Sequence, residues 1–129
     1  MSNVCNSTTT VEANISVRID GQDQGFFPNQ FSGSSSGVKL VASSDTTHLE
    51  IDYGQSLGQG THNLTHTQFQ IDYLDPAGRT FTPPVAGTIQ VKVVGNVHMG
   101  TLTGVKVDGT GSGAGAQALL SGTYVIIVS

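Results

Sequence analysis

The sequence predicts an all-β fold, a single antiparallel β-sandwich of about eight or nine short strands, with a closed β-barrel as the alternative. Apolar and polar residues alternate along most of the chain, whereas helical periodicity is nearly absent. Turn-forming residues interrupt the alternation roughly every ten residues. A chain of 129 residues suits one domain, so we expect a domain at residues 11–129 behind a flexible N-terminal segment at residues 1–10. Variable loop lengths and few aromatic residues favour the sandwich.

The first two strands are predicted on either side of a long loop. In VEANISVRI, residues 11–19, every second residue is apolar, which gives one face for the core and one for solvent. Asp20 and Gly21 end this strand at a turn. VKLVA, residues 38–42, is the next strand. The loop between them contains three phenylalanines that we expect to fill one end of the core: Phe26, Phe27 and Phe31.

One strand pattern then occurs twice. THLEIDYG at residues 47–54 is followed twenty residues later by TQFQIDYL at residues 67–74. In both copies the alternation places Leu or Phe, Ile and Tyr toward the core and Asp toward solvent. Repeated strand construction explains the match. It leaves one functional question, which is whether Asp52 and Asp72 lie close enough to share a ligand.

Turn signals flank the second copy. GQGTHNLT, residues 58–65, supplies a turn and a short strand or edge segment before it. LDPAGR, residues 74–79, predicts a tight turn after it, because Pro76 fixes φ for a type I turn and Gly78 can adopt the left-handed conformation that follows. We therefore predict a β-hairpin over residues 71–81.

The last third of the chain predicts three strands that each begin with Gly-Thr. They are GTIQVKVVG (87–95), GTLTGVKVDG (100–109) and SGTYVIIVS (121–129). Glycine would bend the chain into the sheet, and β-branched Thr would begin the pleated strand. The apolar run at 124–128 predicts a central strand buried on both faces. DGTGSGAGA, residues 108–116, predicts a flexible solvent loop.

Composition and charge favour an extracellular, cell-surface or periplasmic protein. Charged residues make up only 11% of the chain, and Gly, Ser and Thr are abundant. The net charge of −4 comes without a basic stripe, so neither nucleic acid nor an anionic membrane is an expected partner. No apolar run reaches the ~18 residues that cross a bilayer, so we expect no direct membrane insertion. Cys5 is a free thiol or, before the polar NSTTT run, the lipid-modified cysteine of a bacterial lipoprotein.

Several short motifs resemble those of one group of proteins. Between residues 11 and 128 the chain reads, in order, IDG, GTHNLT, IDY, AGTIQVKV, MGTLTGVKV and SGTYVIIV. This order resembles the small β-sandwich domains of secreted or lipid-anchored bacterial proteins of unassigned function. The resemblance implies an exported, non-catalytic accessory domain and transfers no active-site residue.

Histidines and carboxylates suggest two kinds of metal site, although we expect no cofactor. His62 and His66 lie four residues apart, and His48 could join one of them around a transition metal. Four residues of extended strand separate side chains by about 13 Å, so such a site needs the segment to turn, and surface histidines are the alternative. Calcium would need several carboxylates, but no DxDxDG-type loop is present. The acidic candidates are Asp20, Asp23, Asp45, Glu50, Asp52, Asp72 and Asp75.

Asp52, Asp72, Tyr53 and Tyr73 are the candidate ligand contacts. Two carboxylates could serve glycoside hydrolysis, but the chain has no Trp to line a sugar cleft. The phase of both tyrosines also favours buried rings over rings that stack on a sugar. We therefore do not expect an enzyme.

The expected function is a non-catalytic extracytoplasmic binding, adhesion or structural module. It would recognise a protein or glycan surface through loops at 20–37, 54–66 and 108–116, or self-associate through sheet edges that few lysines protect. The alternatives are a small-ligand-binding β-barrel and a small hydrolase or isomerase that uses Asp52, Asp72 and a histidine.

Overall fold

The computed structural model describes residues 11–43 and 47–128, and this part of the chain is all-β. Its strands form one antiparallel sheet that curls into a half-barrel, which confirms the all-β prediction. The strands are β1 (Glu12–Ile19), β2 (Gln22–Gln24), β3 (Gln30–Ser34), β4 (Gly37–Ala42), β5 (Thr47–Asp52), β6 (Gly60–Thr65), β7 (Gln70–Leu74), β8 (Thr80–Val94), β9 (Val97–Thr110) and β10 (Gln117–Ile127). The predicted flexible segment at 1–10, with Cys5, lies outside the described residues, and so does Asp45.

The strand order around the sheet is β2-β1-β10-β9-β8-β7-β5-β4-β3, and β6 pairs with β8. β8 is long enough to hold two strands along its length: β7 pairs with its first two residues, and β6 pairs with residues 88–93. The described chain has ten strands where about eight or nine are predicted, because the loop after β1 contains β2 and β3. The long β8–β9 ladder connects the two halves of the curled sheet.

One face of the sheet encloses the core and the other faces solvent. Both copies of the repeated pattern follow the predicted phase, with Leu49, Ile51 and Tyr53 buried in β5 and after it, and Ile71 and Tyr73 buried in β7. Aromatic rings fill the interior through mutual contacts. Tyr73 packs edge-on against Phe26 at 5.8 Å between ring centroids and lies 5.9 Å from Phe81.

The predicted hairpin joins β7 to β8. Leu74 pairs with Thr80, the Asp75 backbone N–H donates to the Arg79 carbonyl at 3.0 Å, and Gly78 has a φ of 83°. The left-handed conformation at Gly78 is the one that the turn chemistry predicts. The hairpin is thus confirmed in its position and its turn.

The three Gly-Thr pairs of the last third of the chain lie inside strands and do not begin them, which corrects the prediction, whereas Gly60 and Thr61 do begin β6. Gly87, Gly100 and Gly122 fall within β8, β9 and β10. Gly87 and Gly122 have φ values of 98° and 139° and sit where the β8–β9 and β10–β9 registers shift. A side chain at Gly87 would also collide with the Gly104 backbone. Glycine therefore permits β-bulges and close strand packing here, so each strand runs longer than its apolar pattern.

The last strand is central, between β1 and β9, but only one of its faces is buried. Tyr124, Ile126 and Val128 point into the core, whereas Ile127 is 44% exposed. The prediction of burial on both faces is wrong because one sheet curls around one core, so no second layer covers the outer face.

The predicted loop at 108–116 is mostly ordered structure. β9 extends to Thr110, a 3-10 helix spans Gly111–Gly113, and the Gly109 backbone N–H donates to the Ala116 carbonyl at 2.8 Å.

Of the phenylalanines expected to fill an end of the core, Phe26 is buried and Phe31 partly so, but Phe27 is 83% exposed. The described residues include no helix with the length and apolar character that a membrane crossing requires.

Candidate functional site

The predicted carboxylates lie together on the outer face of β4, β5 and β7. Cross-strand pairing aligns Lys39 with Glu50 and Glu50 with Asp72 in one row. In the next row Asp52 lies opposite Gln70. Asp52 and Asp72 are therefore diagonal neighbours on the same face, a relation that places their backbones roughly 7–8 Å apart.

Two shallow grooves adjoin on this face. The first has a volume of about 270 Å³, and its lining includes Ser32, Lys39, Glu50 and Asp52. The second has a volume of about 200 Å³, and its lining includes Gln70, Asp72 and Thr82. Glu50 and Asp52 line both grooves, so the two form one continuous polar surface across β3, β4, β5, β7 and the start of β8.

The carboxylate of Asp52 is partly committed to local structure. Its Oδ1 accepts a hydrogen bond from the Gly54 backbone N–H at 2.8 Å, which holds the turn after β5. Gly54 has a φ of 76° there, and a Cβ on it would approach the Gln68 carbonyl to 2.6 Å. This turn fixes the Asp52 carboxylate at the groove and leaves Oδ2 outside that bond.

The three candidate metal-ligand histidines sit on different elements. His48 lies on the outer face of β5, His62 on β6 and His66 in the turn after β6. His62 Nε2 donates to the Gly58 carbonyl at 2.7 Å. Across residues 11–43 and 47–128, no three or more His, Cys, Asp or Glu side chains are grouped as a metal site would require. A metal at these histidines, or calcium, stays a prediction.

Of the acidic candidates for calcium, several are already engaged. Asp23 pairs with Arg18 at 3.3 Å, and Asp20 Oδ1 accepts from the Gln117 backbone N–H at 3.2 Å. Asp75 is buried against Arg79, with 2.7 Å between Asp75 Oδ2 and Arg79 Nε. These contacts assign the three carboxylates to turns and hairpins.

Tyr53 and Tyr73, the other candidate ligand contacts, are buried in the core. Both are 0% exposed, so neither ring presents a face to solvent, in line with the phase of their strands. Their proposed ligand role is therefore corrected to a core role, because the pleat that directs Asp outward directs the adjacent Tyr inward.

Sequence reasoning missed a buried polar cluster that includes Tyr53. Its hydroxyl lies 2.7 Å from the Tyr124 hydroxyl and 3.3 Å from His98 Nδ1, and the Tyr53 and His98 rings stack at 5.7 Å. His98 is 1% exposed. The signal was present in NVHMGTL, where His98 shares the inward phase of Leu102, but an isolated His in a strand gives no reason to expect partners from β10 and from the residue after β5.

Burial sets the protonation of this cluster. It raises the pKa of Tyr53 to about 12, although the hydrogen bond with Tyr124 lowers it. It raises the pKa of Tyr124 well above 10, and the nearby Tyr53 adds to that rise. Burial lowers the pKa of His98 below 6.5, and the charge of His62 lowers it further. At neutral pH the cluster is uncharged, so Nδ1 of a neutral His98 can accept a hydrogen bond from the Tyr53 hydroxyl.

Comparison with known proteins adds no relative: no family model, curated protein or solved structure matches this chain. The motif resemblance therefore contributes no site residue, and the candidate site rests on the geometry of β3, β4, β5 and β7.

Proposed function

We propose that this chain is a non-catalytic binding module that uses the outer face of β4, β5 and β7 to hold a protein partner. The observation that supports this proposal is the pair of adjoining polar grooves that share Glu50 and Asp52. The titratable groups there stand on an open sheet face, which suits recognition of another surface better than enclosure of a small molecule.

The charges on this face favour a partner that brings Lys or Arg side chains. Glu50, Asp52 and Asp72 stand against one ammonium group, that of Lys39, on neighbouring strands. Carboxylates form their strongest hydrogen bonds with guanidinium and ammonium donors. The exposed large hydrophobic residues of the described chain, Phe27, Val85, Val94 and Ile127, do not line either groove, so no aromatic platform for a glycan is found there.

The interior supports the binding module over the two alternatives. A ligand carrier would need its Phe and Tyr rings to line a cavity, and here Tyr73 packs directly on Phe26 and Phe81. A hydrolase would need Asp52, Asp72 and a histidine to converge in a concave pocket, whereas the shallow groove that Asp52 and Asp72 both line has no histidine in its lining. We propose the sandwich as the finer architecture, with β3 and β10 in contact where the curled sheet approaches itself.

The location and the role in adhesion are part of the same proposal. Low charge density and abundant Ser, Thr and Gly support a place outside the cytoplasm, at the cell surface or in the periplasm. At that location, a binding module would act in adhesion by attaching to its partner protein.

Biolayer interferometry with two immobilised peptides tests the site. One peptide alternates Lys and Ser, and the other alternates Glu and Ser. We expect the chain to bind the Lys peptide, with an affinity that falls as salt rises, and not the Glu peptide. The Glu50→Gln/Asp72→Asn variant should weaken binding about tenfold, the loss of roughly one charge-assisted contact.

The control variant is Asp23→Asn/Asp108→Asn, which removes the same two charges from other strands. It should change the affinity less than about twofold, because it leaves the groove carboxylates in place. General attraction to an acidic protein depends on net charge alone and would fall equally in both variants. Equal losses in the two variants, or no preference for the Lys peptide, would refute the proposed site.

A further inference from the structure

A second part of the outer face carries an apolar patch with opposite charges on its flanks. On β8, β9, β10 and β1, one cross-strand row reads Lys92, Met99, Val125 and Glu12. Lys92 and Glu12 are exposed, while Met99 and Val125 are half-buried. We call this the Lys92–Glu12 row.

The neighbouring row makes the patch larger. It contains Val94, Val97 and Ile127, which register places side by side on β8, β9 and β10. Val94 is 53% exposed and Ile127 is 44% exposed. Large apolar side chains placed together on a sheet face in this way mark an interaction surface more often than isolated ones do.

From this pattern we propose that two copies of the chain dimerise face to face through the Lys92–Glu12 row. A two-fold axis that runs along the strands, between β9 and β10, exchanges the two ends of the row. Lys92 of one copy then meets Glu12 of the other, and Met99 meets Val125. The row is complementary to itself because its charge changes sign about its midpoint, which is what an isologous interface requires.

The flanking rows agree with the same axis. On one side, Val97 meets Ile127 of the second copy, which covers the exposed Ile127 side chain. On the other side, the row of Gln90, Thr101, Thr123 and Asn14 places amide opposite amide and hydroxyl opposite hydroxyl. These groups can hydrogen-bond to one another at a polar rim.

The charges are available for such pairing. The ion pairs within the described residues join Arg18 to Asp23 and Arg79 to Asp75, and neither includes Lys92 or Glu12. The dimer row and the grooves share only β8, whose start at Thr82 lines a groove and whose end carries Lys92, so the dimer is independent of the proposed function. It also differs from association through sheet edges, because the contact is face to face.

Sedimentation equilibrium and light scattering after size exclusion test the dimer by charge reversal. We expect the wild-type chain to dimerise with concentration, and Lys92→Glu or Glu12→Lys alone to raise the dissociation constant at least about tenfold, since each puts like charges in contact. The double variant Lys92→Glu/Glu12→Lys should restore the dissociation constant to within about threefold.

Lys106→Glu is the matched control. Lys106 is also exposed on β9, but it pairs with Leu119 and lies outside the Lys92–Glu12 row, so its reversal should leave the dimer unchanged. Urea unfolding of each variant checks that the fold is intact. A chain that stays monomeric at high concentration, single reversals without effect, or a double variant that stays dissociated would each overturn the proposal.

Discussion

Two buried polar groups lie toward opposite ends of the β8–β9 ladder, and they are built in different ways. Near the β7–β8 hairpin, Asp75 is 1% exposed and binds Arg79 only four residues away, through the backbone N–H and Nε, each at 2.7 Å. Near the β8–β9 turn, Tyr53, Tyr124 and His98 meet across 45 and 71 residues of sequence. The first group is charged and local, and the second is neutral and assembled from three parts of the chain.

The difference shows two ways of burying polar atoms in a small β-domain. A local ion pair satisfies its carboxylate within the turn that it holds, and Arg79 remains partly in water with its guanidinium 5.8 Å from the Phe81 ring centre. A nonlocal cluster avoids charge altogether, because burial disfavours the charged form of each member. We expect the charged group to matter more for stability, and the neutral group to matter more for the pH dependence of stability.

The largest effect is expected at the charged group. Asp75→Ala should lower the free energy of unfolding by about 3 kcal/mol, because it removes a carboxylate that satisfies two donors in a buried turn. Asp75→Asn keeps the shape and should lose less. Urea denaturation at neutral pH measures both changes. A loss below about 1 kcal/mol for Asp75→Ala would mean that water replaces the carboxylate and that the pair is not a stabilising contact.

Tyr53 of the neutral group should give a smaller effect, a loss of stability at high pH. The pKa of Tyr53 is about 12 in the folded chain and about 10 when unfolded, so above pH 10 the unfolded state loses its proton first. The free energy of unfolding should therefore fall between pH 10 and pH 12, by at most about 2.7 kcal/mol for this group.

Urea denaturation from pH 7 to pH 11, with Tyr53→Phe as the comparison, measures that fall. The variant should be less stable at neutral pH but should lose less stability as the pH rises. Parallel curves for the two proteins would contradict the assignment of the alkaline loss to this hydroxyl.

The smallest effect is expected on the acid side. Because burial lowers the pKa of His98 below 6.5, the unfolded chain binds a proton at this residue before the folded chain does as the pH falls. The stability contribution of neutral His98 is therefore present above about pH 6.5 and is lost below it. Neither Tyr53 nor Tyr124 changes charge in this range. The nearby His62 is present both in the wild-type chain and in a variant at His98, so a comparison of the two cancels its contribution.

The His98→Gln variant isolates the contribution of His98 to the pH dependence of stability, since it keeps a polar side chain without the titrating ring. Thermal or urea unfolding between pH 5 and pH 7 should give a shallower pH dependence in the variant than in the wild-type chain. An equal slope would show that other groups account for the acid loss.

The contrast between local and nonlocal contacts also explains which parts of the candidate site could be predicted from the sequence. The phase of β5 and β7 places Asp52 and Asp72 outward, as predicted from their alternation with Tyr53 and Tyr73. Their proximity did not follow, because it requires β5 to pair with β7 while the intervening β6 pairs with β8. A chain read strand by strand would place β6 between them.

The errors also have a common physical origin. Gly-Thr was expected to begin strands because glycine would bend the chain into the sheet, but at Gly87 and Gly122 glycine lets long strands bulge and continue. Whether a glycine starts or bends a strand depends on the backbone that approaches it, and at Gly122 a side chain would collide with the Asn14 carbonyl of β1.

By itself the sequence determined the all-β class, the inward phase of the repeated IDY strands and the hairpin at Asp75–Arg79, because the two-residue pleat and turn chemistry act over a few residues. Tertiary structure alone decided which strands are neighbours. It therefore also decided that Glu50 and Asp72 share a row, that Lys92 and Glu12 flank an apolar patch, and that His98 meets two tyrosines. These relations depend on register between distant strands, which bulges and the packing of one curled sheet determine.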